Sequence, residues 1–266
     1  MIVLLFLLTL SLIGGRKGVY SVVALIFTFV CIVFLFLPLI YRGVSPVWAA
    51  VLVAILTTVV TMYLLGGISS KSVTAVVGTV LGVGISGILA ILFGKWTHIS
   101  GYNVADIEQL TYVGQTTNIK IGELLYAGIL ISALGAVMDV AMSIASTINE
   151  IHFRNPLLSA RELFFSGIRV GKDMMGTMSN TLILAFTGTS INTLVFLYVY
   201  NYSTTQIINM YSIGIELIQG IASTMGVILT IPLVSLLSAW HLKRKEIKIF
   251  SKIFSKNSPA VNQSGA

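Results

Sequence analysis

The chain has 266 residues, 56% of them hydrophobic and 9% charged, with a mean hydropathy of +0.96. A soluble domain carries about 25% charged residues, so this composition excludes a soluble globular protein and points to several membrane spans. Lys and Arg outnumber Asp and Glu, 16 to 9, but the excess sorts by loop as the positive-inside rule requires, so it does not imply nucleic acid as a partner.

Apolar runs of about 18 residues or more can cross a bilayer as helices. They predict spans over about 2–14, 19–37, 46–65, 73–94, 121–148, 174–200 and 213–240. The expected fold class is therefore all-α, a polytopic transmembrane helix bundle of about seven spans. The first run is short, and it lacks the basic flank and small-residue cleavage site of a signal peptide. It reads as a helix ended by Gly14-Gly15-Arg16-Lys17. Pro38 to Pro46 divides the second and third spans, and Gly66-Gly67 before Ser69-Ser70-Lys71 makes the next turn. The single cysteine, Cys31, sits in an apolar run, which rules out a disulfide within the chain and suits a small packing group.

Residues 95–120 form the first long polar segment, with Trp96, His98, Tyr102, Asp106, Glu108 and Tyr112, and a short helix is expected after Asn103. Trp96 suits the headgroup level. Residues 150–173 form the second. There Ser159-Ala-Arg-Glu162 fits a capping box, and Leu163, Phe164, Phe165 and Ile168 with Arg161 and Arg169 suggest an amphipathic helix on the cytoplasmic surface between spans five and six. Its role is either an ordinary connection packed on the bundle or a coupling element.

Arg16, Lys17, Lys71, Arg154, Arg161, Arg169, Lys172 and the tail cluster from Lys243 fall on one set of alternate loops. Only Arg42, Lys95 and Lys120 fall on the other. This asymmetry places the N-terminus outside and the C-terminus in the cytoplasm. Four regions follow: an apolar four-helix membrane region at 1–94, an external loop at 95–120, a membrane core with polar stripes at 121–240, and a basic cytoplasmic tail at 241–266. The final SPAVNQSGA has a disordered composition.

Helical spacing sorts the polar residues of the last three spans into stripes. In the fifth, Ser132, Gly135, Asp139, Ser143 and Ser146 share a face. In the sixth, Gly176, Thr177, Asn180, Thr187 and Thr189 are small or polar. In the seventh, Ser212, Glu216, Gln219, Ser223, Gly226 and Thr230 repeat at helical steps. Polar groups facing lipid are left unsatisfied, so all three stripes are expected to turn inward. At about 1.5 Å per residue, Asp139, Asn180 and Thr230 come to similar depths, with Glu216 nearer the outer end. An acid at mid-span costs roughly 2.5–3.5 kcal/mol on insertion scales and marks a functional position by default. The candidate ion, proton or transport site is thus Asp139, Asn180, Thr230, Ser143, Glu216 and Ser223. Gly78, Gly82, Gly135 and Gly226 are read as helix-packing positions, where small residues let backbones approach. The plain alternative is that the hydroxyls and amides only tie helices together, at about 0.6 kcal/mol each.

No H-E-x-x-H, G-x-S-x-G or Walker pattern occurs, and His98, His152 and His241 have no metal spacing. No enzymatic activity, cofactor or metal is expected.

The runs Ser132-Ala-Leu-Gly-Ala-Val-Met-Asp-Val-Ala-Met-Ser-Ile-Ala-Ser146 and Val170-Gly-Lys-Asp-Met-Met-Gly-Thr-Met-Ser-Asn-Thr-Leu-Ile-Leu184, with Glu216 and Met225-Gly-Val-Ile-Leu-Thr-Ile-Pro-Leu233 after them, resemble the YibE/F-like membrane proteins. Asn155-Pro156 and Ser159 to Gly167 are similar to that family's linker. The chain resembles the shorter, F-type member. The resemblance implies a multi-pass protein of the bacterial plasma (inner) membrane, and either a homo-oligomer or a hetero-oligomer with a related membrane protein. It implies no substrate. Two functions remain open: a permease or permease subunit with a polar route in spans five to seven, or a non-transporting scaffold or partner subunit.

Overall fold

The computed structural model of the protein describes residues 1–104 and 107–257. Asp106 of the polar segment and the tail 258–266 lie outside the described residues, as do the side chains beyond Arg244. All regular structure among the described residues is helical. The helices are α1 (Ile2–Cys31), α2 (Leu37–Tyr41), α3 (Pro46–Gly66), α4 (Ser70–Thr97), α5 (Ile107–Thr116), α6 (Ile121–Arg154), α7 (Ala160–Thr189), α8 (Ile191–Val199), α9 (Thr204–Ile208) and α10 (Tyr211–Asn257).

Among the described residues, five stretches are long and apolar enough to cross a membrane: 2–41, α3, α4, α6 and 211–244. The pair α7 and α8, bent by 60° at their junction, is long and apolar enough when taken together, as a broken span or a re-entrant loop. The expected count is about seven, and the two segments at the start of the chain are the ones that run together. The predicted spans 2–14 and 19–37 are two helical segments of α1 joined across a kink, the second running through a π-helical turn (Ile32–Phe36) into α2. They meet at Gly15, whose φ of 53° and ψ of −135° interrupt the helix. A left-handed φ of this kind is open to glycine and strained for a side chain. The break folds Gly18 against the Leu10 carbonyl, where a Cβ would collide. A 13-residue helix reaches only about 20 Å, against a hydrocarbon core of about 30 Å.

The other elements start and stop where the residues dictate. Pro46 opens α3, its missing N–H falling where no helical partner exists. Gly67, at φ 66°, closes it. The short helix expected after Asn103 is α5. The capping box forms, with the Ser159 hydroxyl accepting from the Glu162 amide and the Glu162 carboxylate accepting from the Ser159 amide at 2.8 Å. That box does not start a separate surface helix, however. The helix runs unbroken from Ala160 into the predicted sixth span, because nothing between Arg161 and Thr189 forces a stop.

The centre of the bundle is α4, α6 and α10, each packed on the other two. The first half of α7 lies against α10 and α6, α3 lies against α6 and α4, and α1 rests on α3. The core they enclose includes Val83, Leu130, Val137, Val140, Ile144, Val227 and Val234, all buried. Cys31 is buried in it as well. The N-terminal region therefore contributes α4 to the same core as α6 and α10.

Candidate functional site

The α4–α10 seam is built from small residues. A Cβ at Gly78 would strike Val234, and one at Gly82 would strike Thr230 and Val137. Gly226 faces Ser86 in the same way from the other helix. In lipid there is no hydrophobic drive between helices, so this close approach is what holds them. Several hydroxyls in the seam are spent on backbone and on each other. Ser86 donates to the Ala222 carbonyl at 3.0 Å, Thr230 to the Gly226 carbonyl at 2.7 Å, and Ser238 to Thr74 Oγ1 at 3.1 Å. Ser223 is fully buried there, and its hydroxyl has no hydrogen-bond partner.

The α6 stripe lies elsewhere. Ser132, Gly135, Asp139, Ser143 and Ser146 do share one face, but that face looks away from the bundle. Gly135 and Asp139 are exposed, and the three serines are half-buried. Nothing comes within 4 Å of a Cβ built on Gly135. The opposite face, with Val137, Val140, Ala141 and Ile144, is the buried one. Gly135 therefore packs no helix within this chain, contrary to the expectation from its type. Ser132 and Gly135 instead line a groove of about 370 Å³ shared with Ser21 and Thr28 of α1 and Thr61 of α3. The one tie from the stripe to α10 is Gln219, whose amide reaches Ser132 Oγ at 3.5 Å.

The α7 residues behave similarly. Met174, Met178, Leu182 and Phe186, spaced by four, form the stripe that turns toward the bundle. Asn180 is exposed, as are Asp173, Gly176, Thr177 and Thr187, the last of which lines the cavity against α10. The expected meeting of Asp139, Asn180 and Thr230 at one inward level does not occur: Thr230 is buried in the seam, whereas Asp139 and Asn180 face outward. Residue spacing puts side chains on a common face of one helix, but it does not say which face the neighbours cover.

Glu216 stands apart. It lines a cavity of about 220 Å³ between α10 and the bent α7–α8 pair. Its Oε2 is buried and has no hydrogen-bond partner. Phe186 and Gly220, which share this cavity, carried no polar signal and were not singled out from the sequence. The four-residue repeat that ends in Phe186 was the available clue.

At the α5 end of the bundle, Ser45 at the start of α3 donates to the Glu123 carboxylate of α6, and Tyr126 donates to the Ile99 carbonyl at 2.8 Å. At the opposite end, Lys243 donates to the Pro156 carbonyl at 2.8 Å, fastening α10 to the α6–α7 hairpin. Arg154 pairs with Glu150 across one exposed turn at 2.8 Å, and the Arg244 guanidinium sits 4.9 Å from the Trp240 ring centre. Among the described residues no group of three His, Cys, Asp or Glu is placed to hold a metal ion.

No curated protein and no solved structure matches this chain. The sequence model of one family, described as YibE/F-like protein, matches residues 2–244. That match runs from the first helix to the described end of the last long span, and with it the chain belongs to the YibE/F-like family of membrane proteins.

Proposed function

We propose that this chain is a subunit of a plasma-membrane assembly in a bacterium, and that the assembly moves a small solute or ion along a polar route formed where subunits meet. The single observation that carries this reading is the outward turn of the α6 stripe, with Asp139 at its centre. Left in lipid, that face would hold an acid at a cost of roughly 2.5–3.5 kcal/mol with no protein group to offset it. A second subunit over α6 and the outer face of α7 removes the cost and encloses Asp139, Ser143 and Asn180 in a polar interface. The covering subunit is a second copy or a related family member. The arrangement has the C-terminus in the cytoplasm, with the Lys243 end of α10 and the α6–α7 hairpin on the basic side.

A non-transporting scaffold uses the same face, and water separates the two readings. With Cys31 replaced by alanine, single cysteines at 135, 143 and 180 are treated with a membrane-impermeant thiol reagent in intact vesicles. A route through the interface predicts labelling at all three, together with a flux that Asp139→Asn abolishes. Labelling at none of them, in a complex that remains assembled, assigns the face to a dry scaffold.

A further inference from the structure

The junction of α7 and α8 opens a space against α10. The helix stops at Thr189, resumes at Ile191, and turns by 60° between them. The cavity of about 220 Å³ left against α10 has apolar walls from Ile183, Phe186, Leu217 and Ile221. Its lining residues include one ionisable group, Glu216, and no lysine, arginine or histidine. The buried Oε2 of that carboxylate is without a hydrogen bond. The nearby Thr187 hydroxyl already donates to the Ile183 carbonyl at 2.8 Å.

Glu216 is half-buried, and a carboxylate oxygen held among apolar groups without a partner is costly until it is neutralised or paired. The walls decide what can pair with it. A hard metal ion needs several oxygen ligands, and apolar carbon surrounds this single carboxylate. An alkylammonium needs one anion, apolar walls for its methyl groups and an aromatic face, since ring quadrupoles attract such cations. Glu216 supplies the anion, and Phe186 supplies the ring. The groove is half-open, and its volume of about 220 Å³, below the roughly 300–1,000 Å³ of sites for drug-sized ligands, suits a small cation. We propose that Glu216, Phe186 and Gly220 form a binding site for a small alkylammonium cation. The site holds whether or not a solute moves along the α6 face. Its ammonium group comes from a free cation or from a lipid headgroup.

The test measures radiolabelled choline on the purified full chain in nanodiscs of phosphatidylglycerol. Choline is expected to bind, and its neutral isostere 3,3-dimethylbutanol is expected not to displace it. E216Q, which removes the charge and keeps the shape, is expected to lose at least about tenfold in affinity. F186L is expected to lose about fivefold. G220A adds a methyl that meets only Phe186 Cδ2, at an ordinary 3.6 Å. It therefore keeps the fold, and it should weaken tetraethylammonium more than choline by narrowing the cavity. Repeating the measurement with phosphatidylethanolamine in the nanodisc identifies the source: loss of choline binding assigns the ammonium to a lipid, and unchanged binding assigns it to a free cation. Absence of choline binding in phosphatidylglycerol, equal binding by E216Q, or equal displacement by the neutral isostere overturns the proposal.

Discussion

Two polar regions of this molecule use nearly the same residue types to opposite ends. In the α4–α10 seam, glycines, serines and threonines are buried and bring two backbones together, with Gly82 under Thr230 and Ser86 bonded to the Ala222 carbonyl. On α6, Gly135 and Asp139 turn outward with the serines half-buried beside them, and nothing comes within 4 Å of a Cβ built on Gly135. The seam closes within one chain, whereas the proposed assembly supplies the cover of the α6 face. A small-polar stripe in a membrane protein thus marks an interface, and it does not say whether the partner helix is in the same chain.

Substitutions matched between the two regions sharpen this contrast. The largest effect is expected at Asp139. Replacing it with leucine should favour insertion of the α6 span by roughly 3 kcal/mol in a translocon-based insertion assay, while the assembled complex disappears from native gels. Survival of the complex would show that the face is not an interface. Next come the glycines. Gly82→Val drives a side chain into Thr230 and Val137 and should destabilise the protomer by about 1–3 kcal/mol, read as a lower unfolding midpoint in detergent. Gly135→Val meets open space and should leave that midpoint unchanged while weakening assembly. Equal effects of the two valines would erase the distinction. Ser159→Ala removes the capping box at the start of α7 and should cost about 1 kcal/mol, seen as faster amide exchange in the first turn of α7 with assembly intact. The smallest effect belongs to Ser86→Ala, about 0.6 kcal/mol for one lost interhelical hydrogen bond, measurable by steric-trap unfolding. A larger loss there would mean that the seam depends on its hydroxyls more than on its close contacts.

Most of the helix boundaries were readable because they rest on local chemistry. Pro46, Gly67 and the Ser159–Glu162 box each act within a turn, and a single sequence displays them. The composition of each stripe was readable for the same reason. The direction of the stripes was not. The inward expectation for Asp139 applied a rule about lipid to one chain, whereas the rule holds for the whole assembly that the lipid surrounds. Thr230 fitted the expectation because its partner, Gly82, lies in the same chain. The cavity at Glu216 was hidden differently. It depends on the bend between α7 and α8 and on Phe186 crossing to α10, and no local motif announces a distant contact between two apolar helices.

The central claim is that protein, not lipid, covers the outward face of α6. Photo-crosslinking from a benzophenone amino acid at position 135, performed in native membranes, tests it most directly. Adducts to a second protein chain at 135, and to this chain's own helices when the same probe replaces Val137, are the predicted result. Adducts only to lipid at 135 would contradict the account and leave Asp139 as an acid in the bilayer without a partner.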